Sequence, residues 1–325
     1  MNKSSIFEPT AAHISAASTI LRNGGLVAFP TETVYGLGAN AFDANAVAKI
    51  FITKERPAFD PLIVHIADLV DLERISSSSD TRVSELAKVF WPGPLTIILP
   101  KSKNIPDIVT SGLPDVAVRM PSHIVALQLI KETGFPIAAP SANKFGKLSP
   151  TTARHVMKQL SGVEMILDGG ACKVGVESTV IRLETDGFRI LRHGAITEKM
   201  LSTIVPKSQL TEGFDLPQAS PGLMKSHYSP DKQLYIVGEH AIPSDTSRAA
   251  YVSFMPIEKS GFKMTRSLTL NGELQEAAVG LFRLLHEMEE ADVDFIVAEA
   301  VPENGIGIAI MDRLRKAAWR FQNPV

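Results

Sequence analysis

The sequence predicts an α/β protein in two parts, and three observations carry that prediction. Short β-branched runs alternate with amphipathic helical stretches up to about Pro206. The texture then breaks over residues 207–231, where Gly213, Pro217, Pro221, Gly222 and Pro230 punctuate the chain without periodicity. A second alternating stretch, 232–325, follows and is of ordinary domain size. At 325 residues the chain is too long for one ordinary core. The expected organisation is therefore 1–206, a linker at 207–231, and a smaller α/β domain at 232–325.

The elements follow in order. Ala11 to Asn23 reads as a helix capped by Thr10, with Ile14, Ala17, Ile20 and Leu21 on one face and Gly24 past its end. Leu26 to Phe29 reads as a buried strand. Asp43 caps a helix through about Thr53. Further strands are expected at Leu95–Leu99, Val116–Arg119, Ile137–Ala139 and Met165–Leu167. Ser122 and the Ser149-Pro150 pair read as helix starts, since proline suits the first helical position. In the second part, Leu234–Val237, Ala250–Phe254 and Phe295–Ala298 read as strands. Asn271–Glu290 and Ile306–Arg320 read as helices.

Composition excludes several classes. Hydrophobic residues make up 45% and charged residues 21%, which is globular rather than disordered. Lys+Arg 33 against Asp+Glu 35 gives a net charge of −2, which argues against a globally basic nucleic-acid binder. The single cysteine, Cys172, rules out an internal disulfide framework and a cysteine zinc site. The opening MNKSSIFEPT lacks the apolar core of a secretory signal, and Leu62–Val70 is too short and polar to span a bilayer. The expectation is a cytoplasmic protein with no membrane contact.

No phosphate-binding G-x-x-x-x-G-K-[ST] loop occurs. Gly36 to Ala41 fits a loose dinucleotide pattern but follows Pro-Thr-Glu-Thr rather than a strand, so it reads as a turn. Four other segments carry chemistry. In Lys54-Glu55-Arg56-Pro57 the proline favours an extended backbone, on which Lys54 and Arg56 would project together toward phosphate or carboxylate. A solvated helix end explains the same residues. Pro140-Ser141-Ala142-Asn143 follows a strand and supplies a hydroxyl and an amide where α/β sheets gather ligands; plain turn chemistry is the alternative. Phe29 to Leu37 combines Thr31, Glu32, Thr33 and Tyr35 after another strand, and Arg119 ends a third. For these the plain alternatives are capping by Glu32 and a structural ion pair at Arg119. Gly175 to Val180 reads, on propensity alone, as an edge strand.

Taken together and in order, PTETVYGLGANA, KERPAFDPLIVHI, FWPGPLTIIL, VAVRMPSH, APSANKFGKLSPTTA, DGG with GVESTVI, and ILRHGAIT resemble the YrdC-like threonylcarbamoyl-AMP synthase family. SPGLMKSHYSP and GIGIAIMDRLRKAA resemble the linker and C-terminal motifs of its long form. The resemblance implies a twisted mixed sheet with flanking helices and a large concave cavity, plus a smaller Rossmann-like α/β domain. It implies condensation of L-threonine, bicarbonate or CO2, and ATP to threonylcarbamoyl-AMP and pyrophosphate, for transfer RNA modification next to the anticodon. Mg²⁺ would enter with ATP, held mainly by its phosphates. No organic cofactor is expected.

Residue by residue, Lys54, Arg56, Ser141 and Asn143 match the family's catalytic set. Thr33, Arg119, Ser178 and Tyr35 match threonine-side positions. His65, Ser149, Arg192, His227 and Tyr228 match ATP-side positions, the last two on a linker expected to fold over the nucleotide. Handover to a tRNA threonylcarbamoyl transferase, with transient RNA contact, is the implied next step. Glu55 and Asp60 stand where the family often has glycine and asparagine, His193 replaces a frequent proline, and Leu223–Ser226 departs from a more basic pattern. An RNA-binding module of the same fold is the alternative. A carbamoyl-transfer domain of the hydrogenase-maturation kind is disfavoured, since the zinc-finger cysteines expected beside it are absent.

Overall fold

A computed structural model describes residues 5–210 and 228–322. Among the described residues, ten strands form one mixed sheet. They are β1 (Ile6–Phe7), β2 (Val27–Phe29), β3 (Gly36–Asn40), β4 (Ile63–His65), β5 (Leu95–Pro100), β6 (Asp115–Arg119), β7 (Ile137–Ala138), β8 (Met165–Leu167), β9 (Thr179–Glu184) and β10 (Gly187–Arg192). Their spatial order is β1-β8-β2-β3-β7-β4-β6-β5-β9-β10.

Local chemistry sets the flanking helices. In α1 (Ala11–Arg22) the Thr10 hydroxyl accepts from His13 N at 3.2 Å, and Ile14, Ala17 and Leu21 are buried. In α2 (Ala44–Lys54) the Asp43 carboxylate accepts from Asn45 N and Ala46 N, and Val47, Ile50 and Phe51 face inward. That helix ends where Glu55 adopts φ 55°, a left-handed conformation in which glycine carries no penalty. The family's frequent glycine at this position thus has a backbone reason.

Five expectations are corrected. Gly36–Asn40 is a strand, not a turn, because Phe29 and Ile137 pack over its glycines and the strand pairs with both β2 and β7. The helix expected at Ser122 begins at Ile124 with His123 as its cap, and the one expected at Ser149-Pro150 begins at Ala153 with Thr152 as its cap. In both cases a residue later in the run completes the cap. β9 is not an edge strand: β5 and β10 flank it. The second-part helix starts at Leu274, since Thr269 and Glu276 tie residues 269–273 into a turn.

A second sheet contains β11 (Gln233–Ile236), β12 (Ala249–Ser253), β13 (Met264–Ser267) and β14 (Phe295–Ala298). Its order is β11-β14-β12-β13, and each pairing is parallel, as a Rossmann-like unit requires. The helices Leu274–Glu290 and Gly307–Gln322 belong to this part. Lys207 and Ser208 still pair beside Phe188, so these residues extend the first sheet rather than open a linker.

The two parts share a core. Val34, Leu148 and Val176 belong to the same buried apolar cluster as Leu281, Phe282 and Ile310. Gly175 permits the close approach: a Cβ there would lie 2.3 Å from the Ala278 carbonyl oxygen, and its φ is 76°. The His155 and His286 rings stack across the same junction at 3.9 Å. Among the described residues no helix is long and apolar enough to cross a membrane.

Candidate active site

Strand directions decide where the cavity lies. β4 and β6 are parallel, with His65 opposite Arg119, whereas β7 runs antiparallel to β4. The loops after β2 and β7 therefore leave the sheet opposite to the ends of β4 and β6. The sequence expectation of a site beyond aligned strand ends is corrected accordingly. The cavity lies over one face of the sheet, where Ile63 and His65, two residues apart, point the same way. The rings of Phe29 and His65 meet at 6.2 Å over that face. Empty space of about 520 Å³, counted out to the mouth, is lined by residues of both crossing loops, of β6 and of the 177–192 region.

One side of this space is built around Arg119. Its guanidinium donates to the Thr33 hydroxyl at 2.9 Å and to the Gly93 carbonyl at 3.2 Å, and pairs with Glu32 at 2.6 Å. Glu32 also accepts from Ser122 N at 3.1 Å, so the ion pair fixes the turn into the next helix. Both plain alternatives, a backbone contact made by Glu32 and an ion pair at Arg119, are present in the structure, and Arg119 lines the site as well. The Thr31 and Thr33 hydroxyls lie 2.8 Å apart. Tyr35 faces the cavity, but its hydroxyl lies between the Gly170 carbonyl at 2.7 Å and Asp168 at 3.2 Å. Burial and Asp168 raise its pKa, so it stays a neutral phenol. Among the described residues His65 Nδ1 is buried with no hydrogen-bond partner. Burial, with Arg119 nearby, lowers the His65 pKa to about 3, leaving a neutral imidazole in the cavity wall.

Arg56, Ser141, Ser178 and Arg192 line the same space. Lys54 and Arg56 do not share an extended segment. Lys54 closes α2, and the left-handed turn at Glu55 swings Arg56 round. Arg56 donates to the Asp60 carbonyl at 3.0 Å and the Pro61 carbonyl at 2.9 Å, and pairs with the Asp60 carboxylate at 2.8 Å. Burial lowers the Arg56 pKa and raises that of Asp60. The departure from asparagine thus gives Arg56 a buried counter-ion. Glu55, by contrast, is exposed and pairs with Lys144 at the surface.

Lys54 sits behind this wall. Its ammonium is buried and donates to the Ser141 and Asn143 carbonyls, clamping the Pro140–Asn143 turn. Burial, then repulsion from Arg56, lowers its pKa well below that of a free lysine. Asn143 is likewise outside the lining. Its amide donates to the Lys144 and Lys147 carbonyls at 2.9 and 2.8 Å, while Oδ1 is buried without a partner among the described residues. Ser149 is buried and donates to Glu177 instead of facing the cavity. Arg192 donates to the Ser178 carbonyl at 3.1 Å and hydroxyl at 3.0 Å, and that hydroxyl lies 2.7 Å from Thr96 Oγ1. Tyr228 is buried and lines the cavity at φ 62°, a conformation costly for a bulky residue. His227 lies outside the described residues.

Two lining or supporting groups escape sequence reasoning. Glu177 lines the cavity, and Arg313 of the helix Gly307–Gln322 pairs with it at 2.9 Å. Each lies inside a quoted motif, GVESTVI and GIGIAIMDRLRKAA, but nothing in either run announces the other. Cys172 is buried with a raised pKa, which makes it a poor nucleophile. Among the described residues no group of three or more His, Cys, Asp or Glu could hold a metal ion.

Comparison with known proteins agrees with this architecture. The family profile described as "Telomere recombination" matches residues 19–194, and that described as "Threonylcarbamoyl-AMP synthase, C-terminal domain" matches 196–319. The threonylcarbamoyl-AMP synthase of Pyrococcus abyssi is 42% identical over 94% of each chain. This chain belongs to the threonylcarbamoyl-AMP synthase family, in its long form. The Bacillus subtilis synthase is 43% identical over 94% of this chain and 92% of its own. The crystal structure of P. abyssi Sua5 complexed with L-threonine superposes with a TM-score of 0.85 at 39% identity, covering 97% of this chain and 96% of that one.

Proposed function

We propose that this protein condenses L-threonine, bicarbonate or CO2, and ATP to threonylcarbamoyl-AMP, releasing pyrophosphate. The observation that carries the reading is the convergence of Arg56, Arg119 and Arg192 on one cavity that also presents the Thr33, Ser141 and Ser178 hydroxyls. Three guanidiniums suit a substrate set that is anionic throughout: an amino-acid carboxylate, a carbamate and a polyphosphate. Relatives covering nearly the whole chain bear the synthase name, which favours catalysis over an RNA-binding module.

In this reading Arg119 and the Thr33 and Ser178 hydroxyls hold threonine, while Arg56, Arg192 and Ser141 face the phosphates. The threonine amine attacks the carbon of CO2, or of bicarbonate with loss of water, and forms a carbamate. A carbamate oxygen then attacks the α-phosphorus as the bond to pyrophosphate breaks. No side-chain nucleophile is needed. The carbamate is short-lived in water, so alignment is the protein's main task, worth roughly 7–11 kcal/mol in favourable cases. Each preorganised guanidinium adds about 2.7–4 kcal/mol where charge grows on phosphate.

Mg²⁺ enters as the companion of ATP and so as substrate. Lys54 and Asn143 lie behind the cavity wall and together fix the turn carrying Ser141. Tyr228, which lines the cavity, would contact the nucleotide. The product is a labile acyl–phosphate anhydride that a tRNA threonylcarbamoyl transferase in the cytoplasm would consume.

Pyrophosphate release by the purified protein, with threonine and bicarbonate omitted in turn, tests the proposal. Release is expected only when both are present, with serine a poor substitute. Release indifferent to threonine would overturn it.

A further inference from the structure

Arg313 has the largest fully buried side chain in the described protein, and it comes from the second domain. Its Nε donates to Glu177 Oε2 at 2.9 Å, and its Nη1 donates to the His193 carbonyl and to Asp312 at 2.8 Å each. The other Glu177 oxygen accepts from Ser149. Glu177 precedes Ser178, and His193 follows Arg192; Ser178 and Arg192 are hydrogen-bonded to each other in the cavity wall. One guanidinium from outside the catalytic sheet thus grips both chain segments that make this contact. The segments are pressed together, since a Cβ on Gly194 would lie 2.5 Å from both the Glu177 carbonyl oxygen and Thr179 N.

We infer that Arg313 is a positioning residue for the anion-binding wall, holding the Glu177 carboxylate away from the Arg192 guanidinium. A carboxylate buried at a cavity lined by cations will take a counter-ion wherever one is in reach. Arg313 supplies it from behind the wall. Arg192 is hydrogen-bonded to Ser178, the residue after Glu177, and feels the Glu177 charge, so without Arg313 the carboxylate would turn toward it. Pairing there would neutralise a cation facing the phosphates and pull it off Ser178. The second domain is therefore part of the active site's electrostatics. The assignment of Arg192 to the phosphates rests on the function proposed above.

The test uses the full-length protein and measures binding of a non-hydrolysable ATP analogue with Mg²⁺ by titration calorimetry, alongside steady-state turnover. Arg313→Met is expected to weaken analogue binding roughly tenfold to a hundredfold, and to raise KM for ATP more than it lowers kcat. Glu177→Gln combined with Arg313→Met should regain most of that loss, because the competing carboxylate is gone. Arg313→Lys, which keeps the charge but loses the fork to His193, should fall between, and it carries the test if the methionine variant is insoluble. Lys158→Ala breaks the Lys158–Glu290 pair across the same junction and should stay within about twofold of the parent. Near-parental binding by Arg313→Met, or a double variant as weak as the single one, would overturn the inference. A parent that binds the analogue but releases no pyrophosphate would sink the proposed function instead, and the binding comparison would still stand.

Discussion

Among the buried guanidinium–carboxylate pairs that border the cavity, Arg119–Glu32 and Arg313–Glu177 differ in where their partners come from. Arg119 and Glu32 meet at 2.6 Å within the first domain, Arg119 at the end of β6 and Glu32 in the loop after β2. Arg313 and Glu177 meet at 2.9 Å across the junction between two sheets. In the first pair the arginine also touches Thr33 inside the cavity, so it belongs to the binding surface itself. In the second pair the arginine stays behind the wall and acts through what it holds. The same ion pair therefore does two jobs, binding and support, according to which side of the wall the cation lies.

The largest expected effect tests that distinction. Arg119→Met should lower turnover by about 10²–10³-fold, read as pyrophosphate release, because a cavity cation is lost and Glu32 is left buried alone. Unlike the Glu177–Arg313 case, adding Glu32→Gln should not restore activity. Recovery in that double variant would place Arg119 in a supporting role and collapse the comparison.

Acid should act on the junction next. Burial holds His155 and His286 neutral, lowering their pKa values to about 3 and about 4. The unfolded chain, with histidines near 6.5, takes up protons first as pH falls. Stability is then full above about pH 6.5 and drains away as pH falls toward 4. Replacing both histidines with glutamine should flatten this slope in thermal melts. The remaining slope would include His65, buried within the first sheet. An unchanged slope would remove the junction from the acid response.

The smallest effect concerns a position fixed by backbone alone. Glu55→Gly relieves a left-handed residue and loses one surface ion pair. A net gain of about 0.5–1 kcal/mol is expected, seen as a melting temperature raised by about 0.7–1.5 °C. A lower melting temperature would show that the Lys144–Glu55 pair outweighs the strain.

The candidate site was partly legible, and particular residues show why. Thr33, Arg119, Ser141 and Ser178 sit in short runs after or at the ends of strands, and the structure places all four on the cavity. Lys54 and Arg56 were visible as a pair of cations, but their geometry was not, since it depends on a left-handed turn at Glu55. Ser149 and Asn143 were visible as polar residues in a motif, yet they face the supporting layer. Gly36–Asn40 looked like a turn because its glycines hide a strand whose neighbours come from elsewhere in the chain.

By itself the sequence determined the layered α/β class, the caps of α1 and α2, the break in texture after residue 206, and the motifs that carry the family resemblance. These are local properties: period, capping and composition act within one or two turns of chain. Tertiary structure alone decided that the cavity spans a sheet face between opposed strands, that Lys54 clamps a turn, and that Arg313 serves Glu177 from 136 positions away. A buried charge must find its partner in space, and residue order does not say which cation the fold will bring within reach.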